Sequence, residues 1–220
     1  MGTEGLGIDE PAVVRLDPQK GLAVTSTGIE MHPGDHICAL YDGDEARDEL
    51  VLSFLRSGLD SGDKCICILD EGDHQVVLSQ FDDHRSAHST GLAAQLDLLT
   101  PWETYLKSSQ FSSVEMLNFW SDTINSALGD GQFGAARVTG ATTWLLGAAE
   151  GTIRDFMGYE SELNRFVHQY PVSILCLYDL DAFGGGILVD LMKTHPKLLL
   201  GGMLLENPHA LSPDEFLAER

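Results

Sequence analysis

The sequence predicts an α/β fold in which a mostly parallel sheet carries helices on both faces. Short apolar runs bounded by polar residues alternate along the chain with segments of helical periodicity. The run from Lys64 to Asp70 (KCICILD) is almost continuously apolar, which is typical of a parallel strand buried on both faces. Such alternation favours parallel strands joined by helical crossovers.

The elements are predicted in chain order from these runs and from their turn and capping residues. Strands are expected at residues 36–41, 64–70, 95–99, 133–139, 172–178 and 197–205. Helices are expected at residues 42–57, 73–88, 112–128, 152–169, 184–195 and from 212 onward. Asp42 with Glu45, Asp73, Ser112 or Ser113, and Ser212 with Glu215 are the predicted helix caps.

The chain is expected to form one domain after a short leader. Residues 1–28 mix Gly, Pro and charged residues without a sustained period, which indicates a flexible or late-docking segment. Residues 29–220 carry the regular alternation, and an α/β protein of this length usually forms a single domain.

Charge and composition limit the classes of partner. The chain has 13 basic and 34 acidic residues and a net charge of -21, which repels nucleic acid and anionic lipid. No apolar run is long enough to span a bilayer, and no secretion signal is recognisable, so a cytoplasmic location is expected. The four cysteines lie in apolar runs and are expected to be reduced.

The first loop of the predicted sheet argues against nucleotide chemistry. A phosphate-binding loop would follow the first strand, but Tyr41-Asp42-Gly43-Asp44-Glu45 stands there and places carboxylates where phosphate needs amide donors. No G-x-S-x-G elbow or other nucleophile signature occurs. We therefore expect a protein that is not an enzyme.

Other residues at the predicted strand ends suit a small ligand or a metal. Trp102 and Trp144 follow the third and fourth strands, where aromatic walls would suit a small apolar molecule, although aromatic side chains also fill ordinary cores. His36 and Cys38 share one face of a strand at about 6–7 Å, and Cys176 could be a third ligand for zinc or a similar metal. The alternative is a hydrogen-bonded buried histidine beside a core thiol.

Several segments together resemble one known family. They are Gly34-Asp35-His36-Ile37-Cys38-Ala39-Leu40-Tyr41, Tyr159-Glu160-Ser161-Glu162-Leu163-Asn164, Leu175-Cys176-Leu177-Tyr178-Asp179 with Phe183, Thr194-His195-Pro196 and Glu206-Asn207-Pro208. From about Met31 to Arg220 the chain resembles the MEDS family, the methanogen and methylotroph sensory domain named from a dichloromethane-responsive regulator. This resemblance implies a RecA-like or circadian-ATPase-like fold without a phosphate loop, and a role in prokaryotic signal transduction.

The resemblance has one departure. Where the family commonly reads Gly-Glu-Met-Ser-Trp, this chain reads Gly140-Ala141-Thr142-Thr143-Trp144, so any role of that glutamate in binding a ligand or metal is lost here.

The resulting hypothesis is a sensory domain that binds a small apolar or hydrocarbon-derived molecule and signals through a partner protein. A homodimer is compatible with it, and no cofactor is expected. The predicted ligand-binding residues are His36, Cys38, Tyr41, Trp102, Trp144, Tyr178 and His195. One alternative is a metal or thiol redox switch built on His36 and Cys38, with His36, Cys38 and Cys176 as ligands of zinc or another transition metal. Another is a ligand-free regulator that binds proteins in an anti-sigma type pathway.

Overall fold

A computed structural model describes residues 31–81 and 91–220 of the chain. The predicted leader at residues 1–28, and the end of the helix predicted at 73–88, lie outside the described residues.

Seven strands of the described chain form one sheet. They are β1 (His36–Tyr41), β2 (Lys64–Ile68), β3 (Leu96–Leu99), β4 (Ala136–Ala141), β5 (Val172–Asp179), β6 (Lys197–Leu200) and β7 (Met203–Glu206). Their order across the sheet is β3-β2-β4-β5-β1-β6-β7. Every neighbouring pair is parallel except β6 and β7, which confirms the predicted mostly parallel α/β sheet.

Helices cover both faces of this sheet. They are α1 (Gly43–Ser61), α2 (Glu71–Ser79), α3 (Leu92–Gln95), α4 (Ser113–Leu128), α5 (Glu150–Phe166), α6 (Gly185–Thr194) and α7 (Pro213–Ala218). Side chains of α1 to α3 form one buried apolar cluster with the sheet, and those of α4 to α7 form another. We call these two sides the α1 face and the α5 face.

Strand β1 contributes to both clusters because successive side chains of a strand point to opposite faces. Ile37, Ala39 and Tyr41 belong to the cluster of the α1 face, whereas Cys38 belongs to that of the α5 face. The central position of β1, between β5 and β6, therefore places its residues beside two different layers of helices.

The strand predicted at 197–205 was wrong in one respect, because it is a hairpin of two strands. Gly201 and Gly202 both have positive φ, of 55° and 74°, and two consecutive residues of this kind form the tight turns of hairpins. Leu200 pairs with Met203 across this turn, so β7 returns antiparallel at the edge of the sheet. The sheet consequently has seven strands where the sequence predicted six.

The predicted caps are confirmed at α4 and α7, Asp42 occupies the cap position of α1 without the predicted capping box, and the cap predicted for α2 is wrong. Ser112 accepts a hydrogen bond from the Glu115 amide, and Ser212 with Glu215 forms a complete capping box. The side chain of Asp42 makes no cap hydrogen bond, and Asp70, not Asp73, is the residue before α2.

Helix α1 continues to Ser61, beyond its predicted end at residue 57, and Gly58 lies inside the helix against the sheet. A Cβ atom at Gly58 would lie 2.6 Å from Cys65 Sγ and 2.7 Å from Arg137 Cδ, so the close approach needs glycine.

No helix among the described residues has both the length and the apolar character required to cross a membrane.

Candidate functional site

Two features beside β1 offer binding chemistry, and the first is an apolar cavity. It has a volume of about 340 Å³ and lies at the carboxyl ends of β1 and β6, under the first turns of α1. Its lining consists of Leu40, Tyr41, Asp42, Ala46, Glu49, Leu50, Ser53, Leu180, Leu199, Leu200, Gly201 and Gly202.

The topology of the sheet explains why a cavity opens there. The chain leaving β1 passes through α1 towards β2 on one side, whereas the chain leaving β6 turns to β7 on the other side. Where connections from neighbouring parallel strands diverge in this way, a crevice forms at the carboxyl ends of the strands, and ligands of open α/β sheets bind in it.

The cavity lining is largely apolar but includes one tyrosine and two acidic residues. Burial raises the pKa of Tyr41 to about 12, and the nearby charge of Asp179 adds to this effect, so its hydroxyl stays protonated and neutral at physiological pH. Asp42 and Glu49 are exposed residues at the edge of the lining. An anionic ligand would be repelled here, whereas neutral and cationic molecules would not.

The second feature is a buried polar cluster on the α5 face, formed by His36, Glu160, Cys176 and His195. These residues come from β1, α5, β5 and the position after α6, and at most 7% of any of them is exposed. One nitrogen, oxygen or sulfur atom from each lies within 4.8 Å of the corresponding atoms of the other three. We call this group the His–Glu–Cys cluster.

The carboxylate of Glu160 lies at its centre. Glu160 Oε2 is 3.0 Å from His195 Nε2 and 3.3 Å from His36 Nε2, and Cys176 Sγ is 3.5 Å from His36 Nε2. The distances suit ion pairs, and neither Glu160 Oε2 nor His195 Nε2 has a hydrogen-bond partner. The imidazole rings lie 4.2 Å apart between centroids.

The close packing perturbs the ionisation of the cluster. Burial alone would raise the pKa of Glu160, but the two adjacent imidazoles, His195 first, lower it to about 2. Burial and then the charge of His36 lower the pKa of His195. Burial raises the pKa of the Cys176 thiol far above its usual range, and the charge of Glu160 raises it further.

A set of hydrogen bonds outside the cluster fixes its two imidazoles. His36 Nδ1 lies 2.9 Å from Asn164 Oδ1, and the Asn164 amide nitrogen donates to the Thr194 carbonyl at 2.7 Å. His195 Nδ1 lies 3.0 Å from the Leu191 carbonyl, one turn earlier in α6. Both rings therefore present Nε2 towards Glu160.

The structure distributes the seven predicted ligand-binding residues over several places. Tyr41 lines the apolar cavity, His36 and His195 belong to the His–Glu–Cys cluster, and the Tyr178 ring lies 6.0 Å from that of His195. The remaining three predicted residues, Cys38, Trp102 and Trp144, lie outside both features. Their role in binding a ligand stays a prediction.

Those three residues have ordinary structural surroundings. Trp144 stacks on Tyr105 with centroids 5.1 Å apart, Trp102 is 70% exposed, and Cys38 is buried in the core of the α5 face. The structure thus brings together two of the three predicted metal ligands, His36 and Cys176. Cys38 is the register partner of Cys176 on β1 but is not among the four converging residues.

Sequence reasoning did not select Glu160 as a site residue, although a signal was present. Glu160 lies between Phe156 and Leu163 on the apolar face of α5, at the helical spacings i+4 and i−3, and all three side chains are buried. A carboxylate on the inner face of an amphipathic helix needs a buried partner. The predicted site histidines were the candidates for that partner.

Residues 35–196 match one family model, which is described as MEDS: MEthanogen/methylotroph, DcmR Sensory domain. A curated relative, the transcriptional repressor DcmR of Methylorubrum extorquens (strain DSM 6343 / CIP 106787 / DM4), is 26% identical over 184 residues. This alignment covers 82% of the present chain but only 66% of the repressor.

Solved structures with a similar fold include the flagellar accessory protein FlaH from Methanocaldococcus jannaschii, with a TM-score of 0.50 and 12% identity. The match covers 86% of the present chain and 82% of FlaH. The KaiC-like protein PH0186 from Pyrococcus horikoshii OT3 is similar with a TM-score of 0.49 and 9% identity, over 76% of this chain and 70% of that one. The similarity to FlaH confirms the α/β fold expected from the sequence.

Proposed function

Because the chain belongs to the MEDS family, we propose that it is a ligand-sensing domain that binds a small, largely apolar molecule in the cavity between β1 and β6. On this proposal it catalyses no reaction and passes the signal to a partner protein. Its role in signal regulation is supported by the family match and by the relative that represses transcription.

The observation that carries the proposal is the position and lining of the cavity. It lies at the point of the sheet where ligands of this fold class bind, and its volume of about 340 Å³ suits a small organic molecule. Leu50, Leu180 and Leu199 supply apolar surface, and Tyr41 supplies one hydroxyl that can donate a hydrogen bond.

The residues around the cavity mouth favour this class of ligand over a nucleotide. Asp42 and Asp44 occupy the start of α1, where a phosphate would need backbone amides and positive charge. A neutral halocarbon, an alcohol or a methylated amine meets no such repulsion. The mouth carboxylates would favour the cationic amine among these.

Helix α1 is the element best suited to report occupancy. Its amino-terminal half supplies Ala46, Glu49 and Leu50 to the cavity wall, whereas its carboxyl-terminal half is held against the sheet at Gly58. A bound molecule would therefore order or displace the first turns of α1 while the end of the helix stays fixed. A partner protein that contacts those turns would detect the difference.

Direct contact with DNA is not part of the proposal. The net charge of -21 opposes binding to the phosphate backbone, and the chain aligns with only 66% of the length of the repressor DcmR. An output through a partner protein is compatible with both facts.

Thermal unfolding with added small molecules tests the proposal. Halocarbons, alcohols and methylated amines are added in sealed cells, and a ligand at about ten times its Kd should raise the Tm by about 3–5 °C. Ala46→Phe should abolish the rise because the new ring fills the cavity. Glu45→Phe places the same ring on the exposed side of α1 and should leave the rise intact.

Two outcomes would contradict the proposal. One is the absence of any stabilising molecule across the three chemical classes, which would favour the ligand-free regulator. The other is a stabilising molecule whose effect survives Ala46→Phe, since it would bind elsewhere.

The thiol switch on Cys38 has less support. Burial raises the pKa of the Cys38 thiol far above its usual range, and the charge of Glu160 adds to this, so little reactive thiolate would form at physiological pH.

A further inference from the structure

We propose that the His–Glu–Cys cluster is a closed binding site for one transition-metal ion of the zinc type, with His36, Glu160, Cys176 and His195 as its four ligands. The site lies on the α5 face, whereas the proposed ligand cavity lies under α1, so the two proposals stand on different residues.

The spacing of the ligand atoms is close to that of a tetrahedral site. Zinc bonds of about 2.0–2.3 Å place the ligand atoms of a tetrahedron about 3.3–3.8 Å apart. In the cluster three of these separations are 3.0, 3.3 and 3.5 Å, and all four atoms lie within 4.8 Å of one another. Small side-chain rotations would therefore bring the four atoms around a single ion.

The hydrogen bonds outside the cluster determine which ring nitrogens can bind a metal. The Asn164 amide nitrogen donates to the Thr194 carbonyl, so Asn164 Oδ1 faces His36 and can only accept a hydrogen bond. His36 Nδ1 must then carry the proton. The Leu191 carbonyl is likewise only an acceptor, so His195 Nδ1 carries a proton too.

In its neutral form, with the proton on Nδ1, each imidazole directs the lone pair of its Nε2 towards Glu160, whereas an imidazolium would direct an N–H there. A carboxylate oxygen lies 3.0 Å from one Nε2 and 3.3 Å from the other, so the neutral form leaves three acceptors close together, and a metal ion between them would offset their repulsion. The unpartnered, fully buried Glu160 Oε2 and His195 Nε2 are the atoms that such a cation would satisfy.

The ligand types select the class of ion. Two imidazoles, a thiolate and a carboxylate suit zinc and neighbouring divalent transition metals, whereas calcium and magnesium take oxygen ligands. A bound divalent ion would deprotonate Cys176 directly. The thiolate and the carboxylate would then balance its two positive charges, which suits a site buried in the core.

The surroundings indicate a structural rather than a catalytic site. Catalytic zinc sites keep an open position for water, whereas here four protein ligands are available and all are buried. The hydrogen bonds that the ligand histidines donate to Asn164 Oδ1 and to the Leu191 carbonyl resemble the outer contacts that orient metal-bound imidazoles. A metal here would tie β1, β5, α5 and the end of α6 together.

Metal analysis of the full chain, purified without chelators, tests the proposal. We expect about one zinc or similar ion per chain, or uptake of one equivalent of Co²⁺ at micromolar concentration after chelation. Bound Co²⁺ should show a thiolate charge-transfer band and the intense visible bands of a tetrahedral site.

Matched serine variants identify the sulfur ligand. Cys176→Ser should remove the charge-transfer band and weaken Co²⁺ binding at least tenfold, whereas Cys38→Ser, at the register partner of Cys176 on the neighbouring strand, should retain both. Because the wild-type spectrum alone reports thiolate coordination, the test does not depend on the folding of a variant. Wild-type chain without metal that also fails to bind Zn²⁺ or Co²⁺, or loss of the band in Cys38→Ser instead, would overturn the assignment.

Discussion

The two faces of the sheet beside β1 differ in where their polar side chains lie. On the α1 face, the carboxyl end of the strand opens into an apolar cavity with carboxylates only at its edge. On the α5 face, the start of the same strand directs His36 into a sealed group with Glu160 and His195. One strand thus contributes both to an open apolar cavity and to a closed polar cluster.

This difference follows from the layers of helices. The first turns of helix α1 lie over the cavity, where the connections of β1 and β6 diverge, and its later turns pack on the sheet through Val51, Phe54, Leu55, Gly58 and Leu59. Helix α5 packs along the sheet through a continuous series of buried residues: Phe156, Met157, Tyr159, Glu160, Ser161, Leu163 and Phe166. We therefore expect adaptability on the α1 face and rigidity on the α5 face.

The largest effect is expected from removing the carboxylate of the closed site. Glu160→Ala removes the fully buried carboxylate that lies between two buried imidazoles and should lower the free energy of unfolding by about 3–5 kcal/mol. Asp155→Ala, an exposed position on the same helix, should change it by less than about 0.5 kcal/mol. Urea unfolding of both variants provides the measurement, and equal losses would refute a special role for the buried site.

Alkaline unfolding examines the packing of the α1 face. Burial raises the pKa of Cys65 to about 12 from 9.0, so the neutral thiol contributes stability that is complete below pH 9 and is lost as the pH rises through about 12. At pH 11 this loss is about 2–3 kcal/mol for a thiol with that shift. Cys65→Ser removes the ionisable group. Between pH 8 and pH 11 its free energy of unfolding should therefore fall by about 2–3 kcal/mol less than that of the wild-type chain. Parallel pH profiles for the two proteins would be inconsistent with a buried, un-ionised thiol.

A side chain at Gly58 tests whether the end of α1 is held against the sheet. Gly58→Ala forces a Cβ atom towards Cys65 Sγ and Arg137 Cδ, and overpacking of this kind should cost about 1–2 kcal/mol despite the better helix propensity of alanine. Gly72→Ala, in α2 with open space around its Cβ position, is the matched control and should be neutral or stabilising. Stabilisation by Gly58→Ala would show that α1 can move away from the sheet freely.

The smallest effect concerns the charge at the cavity mouth. Glu49→Gln should weaken the binding of trimethylammonium about two- to fivefold, because an exposed carboxylate contributes little attraction in water. The binding of a neutral halocarbon should not change. Calorimetric titration compares Glu49→Gln with Glu45→Gln, which alters an exposed residue outside the cavity lining. An equal change in the affinity for both ligands would exclude a charge effect.

The fold was largely predictable from the sequence, because each strand is a short apolar run between turn residues. The elements β5 and α4 agree closely with their predicted bounds, since Pro171 and Ser112 mark their starts. The antiparallel return at β7 was missed because Gly201 and Gly202 interrupt an apolar run without a polar residue.

The sites were less predictable because they depend on tertiary distances. His36, Cys176 and His195 were separately visible as candidates, but their meeting with Glu160 depends on β1 pairing with β5 and on α5 lying across both. Among the predicted ligand-binding residues only Tyr41 lines the apolar cavity, since most of its other walls are leucines, glycines and residues of α1 that carry no distinctive pattern in the sequence. The cavity exists because the connections that leave β1 and β6 diverge, and this divergence depends on the order of the strands across the sheet.

The central claim is that the open site on the α1 face receives the ligand, and methyl NMR tests it most directly. In a titration of the methyl-labelled chain with a stabilising small molecule, we expect saturable shifts at Ala46, Leu50 and Leu199. The methyl groups of Ile174 and Leu163, in the core of the α5 face, should remain unchanged. Shifts confined to those two residues, or saturation without any shift at the cavity methyls, would contradict the account.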